Sequence, residues 1–152
     1  MSSYTIRELA IDEIPKLKAL GEQFTHESKY VKFDMEFFKT SWESFLTAGI
    51  GAIFVAETAM CEIAGTIGGL KFNEPNSGVL MANELFWIVS PDHRGGCGIL
   101  LLNRLETWAK ETGCKWLWMN YLIDSMPDKV QSIYERKGFT IAETHWVKEI
   151  ST

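Results

Sequence analysis

No stretch of the sequence approaches the roughly 18 uninterrupted apolar residues of a membrane span, and the opening MSSYTIRELA lacks the basic-then-apolar pattern of a secretory leader. A soluble, unprocessed, cytoplasmic chain without a membrane partner is therefore expected. Cysteine is scarce: Cys61, Cys97 and Cys114 are odd in number and without CxxC spacing. Such a set suggests neither a disulfide framework nor a zinc site, so no metal is expected and a reducing compartment suits it. Positive charge is also in short supply, with 15 Lys and Arg against 20 Asp and Glu and a net charge of −5. Nonspecific nucleic-acid affinity comes from cations that displace counterions, so nucleic acid is not an expected partner, and a cationic small molecule suits the surface better. Repeats, linkers and low-complexity segments are missing as well. What is there, 152 residues with 46% hydrophobic content including six Trp and nine Phe, suffices for one core, and a single domain over residues 1–152 is expected.

Residues 4–8 read as a strand, and Ile14, Leu17, Leu20 and Phe24 recur at helical spacing through a helix of residues 11–26. Asp34 is a good cap for a second helix carrying Phe37, Phe38, Trp42 and Phe45 to Gly49, and burial preference assigns those aromatics to the core. Strands are expected at 52–58, 62–72 and 79–89 as an antiparallel meander, the last two divided by the turn-rich Asn73 to Gly78. A helix at 98–112, closed by Gly113, leads to a strand at 116–121. A right-handed crossover then sets strands 79–89 and 116–121 parallel and adjacent. A short helix at 130–137 ending at Gly138, with strand material over 139–150, completes an α+β (mixed α/β) chain.

The most informative segment runs from Val89 through Ser90-Pro91-Asp92-His93-Arg94-Gly95-Gly96-Cys97-Gly98 into the apolar Ile99 to Leu102. Glycines permit close approach of the backbone to a ligand, and the first turn of a helix presents unpaired N–H groups with a partial positive charge. That combination binds phosphate. No Gly-Lys-Ser/Thr follows, and the dinucleotide-binding GxGxxG pattern does not match, so nucleoside triphosphate and NAD readings both weaken.

Val89-Ser90-Pro91, then His93-Arg94-Gly95-Gly96-Cys97-Gly98, then Leu101, Leu102, Leu105, Trp108 and Ala109, resembles the signature of the GNAT acetyltransferases: a strand ending near V-x-P, Arg/Gln-x-x-Gly-x-Gly/Ala, and a Leu-rich helix. In this register both glycines fall into place and His93 stands where the family has Arg or Gln. Starting at Arg94 instead would put Cys97 and Ile99 at positions for small residues. Ile133-Tyr134-Glu135-Arg136-Lys137-Gly138-Phe139 resembles the family's L-Y-E-K-x-G-F segment, and Ala64-Gly65-Thr66-Ile67-Gly68-Gly69 its Gly-containing third strand. Pro127 departs from the family, which often has Asn there.

The resemblance implies a GNAT acyl-CoA N-acyltransferase fold, a central and mostly antiparallel sheet with a splayed parallel strand pair, flanked by helices. It implies direct transfer of an acetyl group from acetyl-CoA to a primary amine. Arg94, Gly95, Gly96, Cys97, Gly98 and Ile99 would hold the pyrophosphate, mainly through main-chain amides, while the amide of Ile88 or Val89 would polarise the thioester carbonyl. Asn120 would offer the cofactor a further amide, and Tyr134, the motif tyrosine, a proton for the departing sulfur. His26, Glu27 and Tyr30, between the first two helices, would shape the acceptor site.

Glu84 draws attention from the residues alone, because a carboxylate within Ala82-Asn83-Glu84-Leu85-Phe86 requires an explanation. Strand alternation groups it with Phe86 and Ile88, and GNAT members often use a Glu on this strand to take the amine proton. It is the candidate base, a solvent-exposed strand end being the alternative. Asp124 follows the splayed strand as a reserve, His145 reads as an ordinary strand residue, and Cys97 reads as a structural thiol lacking an activating base. The acceptor is open among polyamine, amino acid, antibiotic amine and protein amino group, and family habit allows a homodimer. A chain of this fold that binds acyl-CoA or a partner without turnover is the competing reading.

Overall fold

The computed structural model describes residues 3–122 and 125–151. They form β1 (Thr5–Glu8), a 3₁₀ segment (Ile11–Leu17), α1 (Lys18–Glu27), α2 (Met35–Thr47), β2 (Gly51–Glu57), β3 (Ile63–Asn73), β4 (Leu80–Val89), a 3₁₀ turn (Pro91–His93), α3 (Gly98–Glu111), β5 (Trp116–Trp118) and α4 (Pro127–Arg136). The strands lie in the order β1-β2-β3-β4-β5, antiparallel up to β4, with β5 parallel to it. The expected mixed fold, with its meander and parallel pair, is present.

The unbroken apolar run of β2 is explained by cover on both faces. Ile53 and Val55 pack with Leu9, Ile14, Leu17 and Trp42 on the side of the 3₁₀ segment and α2. Ala52, Phe54 and Ala56 pack with Leu101, Leu105 and Trp108 of α3 on the other. The sheet is thus sandwiched between α1–α2 and α3–α4.

Asp34 caps α2 as expected, accepting from the Phe37 N–H at 2.8 Å. Phe38, Trp42 and Phe45 share a stripe of that helix, but Phe37 lies about 100° off it and is 75% exposed, which corrects its assignment to the core. The first helix begins as a 3₁₀ segment with Pro15 inside it, a residue that lacks the N–H of a regular α-helical bond. Strand β5 ends at Trp118 rather than 121, and the expected strand over 139–150 does not form: Ile141, Trp146, Val147 and Ile150 are exposed. A strand exists only where a neighbour completes its ladder, and no described strand lies beside this tail. Asp124 lies outside the described residues. No helix among the described residues is long and apolar enough to cross a membrane.

Candidate active site

Strand β4 carries one residue too many. It pairs with β3 from Gly65↔Val89 to Gly68↔Phe86 and resumes at Gly69↔Glu84, leaving Leu85 as a bulge. Opposed residues share a face, and a Cβ on Gly69 would press on Leu105 at 2.9 Å and Trp108 at 3.4 Å, so Glu84 faces α3 and α4 along with Trp87 and Val89. Phe86 faces the other way, against Trp42 and Phe38 of α2. Grouping Glu84 with Phe86 and Ile88 by alternation is therefore corrected: one extra residue inverts the parity.

The β4–β5 ladder stops at Asn83↔Trp118. Beyond it the main-chain N–H of Asn120 donates to Glu84 Oε2 at 3.0 Å, and Asn120 Nδ2 donates to the Glu84 carbonyl at 2.7 Å. The Tyr134 hydroxyl, reaching over from α4, donates to the Asn120 carbonyl at 2.6 Å. One residue thus joins the carboxyl to the phenol where the strands part. Glu84 is 4% exposed, and burial pushes its carboxyl up to about 7 against the opposing hydrogen bonds from Asn120. Tyr134 is raised above the ordinary phenol range by burial and by the Glu84 charge. Near neutral pH Glu84 divides between acid and carboxylate, while Tyr134 keeps its proton.

At the far end of β4, the loop's polar side chains turn away from α3. His93 Nδ1 meets the Tyr4 hydroxyl at 3.0 Å. Arg94 pairs with Glu27 of α1 and donates from Nε to the Val89 carbonyl at 3.4 Å, which also accepts from Gln23 at 3.2 Å. Main-chain donors remain: the amides of Gly95 through Leu100 make no backbone hydrogen bond among the described residues, and the first to do so, Leu101, reaches Cys97 at 3.0 Å. Gly95 takes a φ of +91°, open to glycine at little strain. A Cβ on Gly98 would meet the Trp87 ring at 3.5 Å and Val89 Cγ2 at 3.7 Å, an ordinary packing contact between the first turn of α3 and the end of β4. The Cys97 thiol is fully buried and its pKa raised by desolvation, as suits a packing residue rather than a nucleophile.

Unpaired amides at a helix N-terminus are of a kind that can take an anionic, oxygen-rich ligand, and the buried Nε1 of Trp87, nearby, has no hydrogen-bond partner among the described residues. Gln23 and Trp87 escaped the sequence reading, since their places depend on the packing of α1 and α3 against the end of β4. Of the residues expected at the acceptor side, Glu27 reaches the loop through Arg94. Tyr30 is 61% exposed beneath Lys29, and His26 makes no hydrogen bond to the cluster. An open groove of about 640 Å³ lies elsewhere, between α3 and β5, and does not include Glu84, Asn120 or Tyr134. Three or more His, Cys, Asp or Glu grouped as metal ligands do not occur among the described residues.

The sequence model of the acetyltransferase (GNAT) domain matches residues 49–141. No curated protein matches the chain. Among solved structures, glucosamine-6-phosphate N-acetyltransferase from Arabidopsis thaliana superposes with a TM-score of 0.76 at 19% identity, over 98% of this chain and 99% of that one. An aminoglycoside N-acetyltransferase in complex with CoA gives 0.76 at 16% identity, over 100% and 97%. A transcriptional regulator from Bacillus halodurans gives 0.79 at 18% identity, over 97% and 100%. At these identities the superpositions speak to the fold.

Proposed function

The chain belongs to the GNAT acetyltransferase family, and on that premise we propose that it transfers the acetyl group of acetyl-CoA directly to a primary amine. The observation that carries the reading is the union, through Asn120, of a carboxyl near its midpoint and a protonated phenol at the parting of β4 and β5.

The thioester supplies an activated acetyl group and a thiol leaving group; the chain's residues do the rest. The amides of Gly95, Gly96, Cys97, Gly98 and Ile99 hold the pyrophosphate at the N-terminus of α3, and Arg94 supports their loop by binding Glu27 and the Val89 carbonyl. A main-chain amide at Ile88 or Val89 polarises the acetyl carbonyl. Glu84 as carboxylate accepts the amine's proton, directly or through water, as nitrogen bonds to the acetyl carbon. Tyr134 gives its hydroxyl proton to sulfur as the carbon–sulfur bond breaks, and regains one from solvent. Its raised pKa keeps that proton in place until sulfur takes it. His26, Glu27 and Tyr30 border the acceptor's approach, and the net charge of −5 suits a cationic amine. A cytoplasmic site of action accords with three free cysteines.

The test is thiol release from acetyl-CoA across a panel of polyamines, amino acids, aminoglycosides and peptide amines, with product mass confirmed. Amine-dependent thiol release with an acetylated product supports the reading. CoA binding without acetylation of any amine would favour the non-catalytic alternative.

A further inference from the structure

The chain ends in a segment composed as a strand but left without a neighbour. Residues 139–152 contain neither Gly nor Pro and are rich in β-branched and aromatic types: Thr140, Ile141, Thr144, Trp146, Val147 and Ile150. The side chains of Glu143 and His145 meet, so residues two apart share a face, as in extended chain. Yet every residue from Thr140 to Ser151 is exposed, Trp146 by 96%. The last backbone hydrogen bond among the described residues is that of the Phe139 N–H to the Tyr134 carbonyl.

The sheet offers what this segment lacks. β5 ends the strand order and has β4 on one side only. The Lys115 N–H turns toward β4, donating to the Leu80 carbonyl at 2.9 Å. Main-chain groups alternate in direction along a strand, so those of Trp116 and Trp118 point out of the open edge. One face of that edge shows the Trp116 ring, 56% exposed. On the other face Leu117 packs toward α3, beside the open groove of about 640 Å³ that Lys110 and Lys115 border. Glu143 and Glu149 of the tail carry the complementary charge.

A single copy leaves both features bare, whereas two copies related by a twofold axis cover both at once, and a reciprocal exchange stops at two. We propose that the protein forms a twofold dimer by exchanging its C-terminal segment, residues 140–151 of each copy pairing with the open edge of β5 in the other. Trp146 brings about 150–250 Å² of surface. Reciprocity doubles every contribution, which brings so short a segment within reach of the roughly 1,200–2,000 Å² that a stable interface buries.

Light scattering on the full chain should give twice the mass of one chain. Trp146→Asp, at a side chain exposed in the single copy, should leave the chain folded and weaken association by about 10²-fold or more. An isotope-filtered NMR spectrum of ¹³C-labelled and unlabelled protein refolded together reports contacts between copies alone, and the labelled tail is expected to meet the unlabelled copy's Trp116 and Leu117. A monomer at high concentration overturns the proposal, whether its tail amides exchange freely with solvent or are protected against its own β5. A dimer that lacks the filtered contacts, or that survives Trp146→Asp with unaltered affinity, also overturns it, since its interface then lies elsewhere. Should the chain fail to refold, hydrogen exchange of the native protein on dilution decides: tail protection lost together with the dimer supports the exchange, and protection retained in the monomer refutes it.

Discussion

Replacing Glu84 by Gln should alter stability in a manner that depends on pH. In the folded protein the Glu84 carboxyl is pushed from 4.5 up to about 7 because it is buried. Between those two values the folded chain holds a proton that the unfolded chain has already released, so stability falls as pH rises through the window. A gap of about 2.5 pH units at about 1.4 kcal/mol each amounts to about 3.5 kcal/mol, fully expressed above pH 7 and absent below pH 4.5. Gln keeps the shape and an oxygen to accept the Asn120 N–H, but it never ionises. Urea unfolding at pH 5 and pH 8 reads the effect: near pH 5 the two proteins should be close, while at pH 8 Glu84→Gln should be the more stable by up to about 3.5 kcal/mol, or about 7–14 °C in melting temperature for a chain of this size. A difference between the proteins that stays constant from pH 5 to 8 would refute the buried, raised carboxyl.

The same carboxyl predicts that kcat/KM rises with pH through about 7 in the wild type. Glu84→Gln should lose this limb with CoA affinity retained, and an unaltered pH–rate profile would release Glu84 from the base role. Tyr134→Phe should slow single-turnover acetylation by about 10²-fold without weakening CoA binding, whereas an unchanged rate would leave solvent as the proton source. Gly98→Asp adds a carboxylate at the first turn of α3, where its Cβ makes only ordinary contacts at 3.5 Å or more, so the protein should fold yet lose CoA-induced thermal stabilisation; a retained shift would place the phosphate elsewhere. Trp42→Ala, at a side chain 4% exposed among Phe38, Phe45 and Phe86, should cost about 3–5 kcal/mol in urea unfolding. Phe37→Ala, one position off that stripe, should stay within about 0.5 kcal/mol.

Much of the architecture was legible because it rests on local rules. Period-two and period-3.6 patterning located β2, β3, β4 and α3 to within a residue or two, and Asp34, Gly113 and Gly138 marked helix ends through their capping chemistry. The glycine-rich loop and its helix were visible for the same reason, since an anion cradle of main-chain amides depends on contiguous residues. The tail from 139 to 151 was misread because alternation describes which side chains share a face, not whether a neighbouring strand is present to complete the ladder.

By itself the sequence determined strands β1 to β4, the glycine-rich loop before α3 and the identity of the two titrating groups, since each depends on neighbours within a few positions. Only the tertiary structure decided what those groups face and touch. The bulge at Leu85 turns Glu84 toward α4, a reversal that strict alternation excludes and that is seen only in the register against β3. The Asn120 clasp joins residues 36 positions apart to Glu84 and 14 apart to Tyr134. The Glu27–Arg94 pair spans 67 positions and brings α1 to the glycine-rich loop. Such contacts arise when packed layers bring distant segments together, and the raised carboxyl of Glu84 follows from the same cause, because desolvation is a property of everything packed around a group and not of its own stretch of chain.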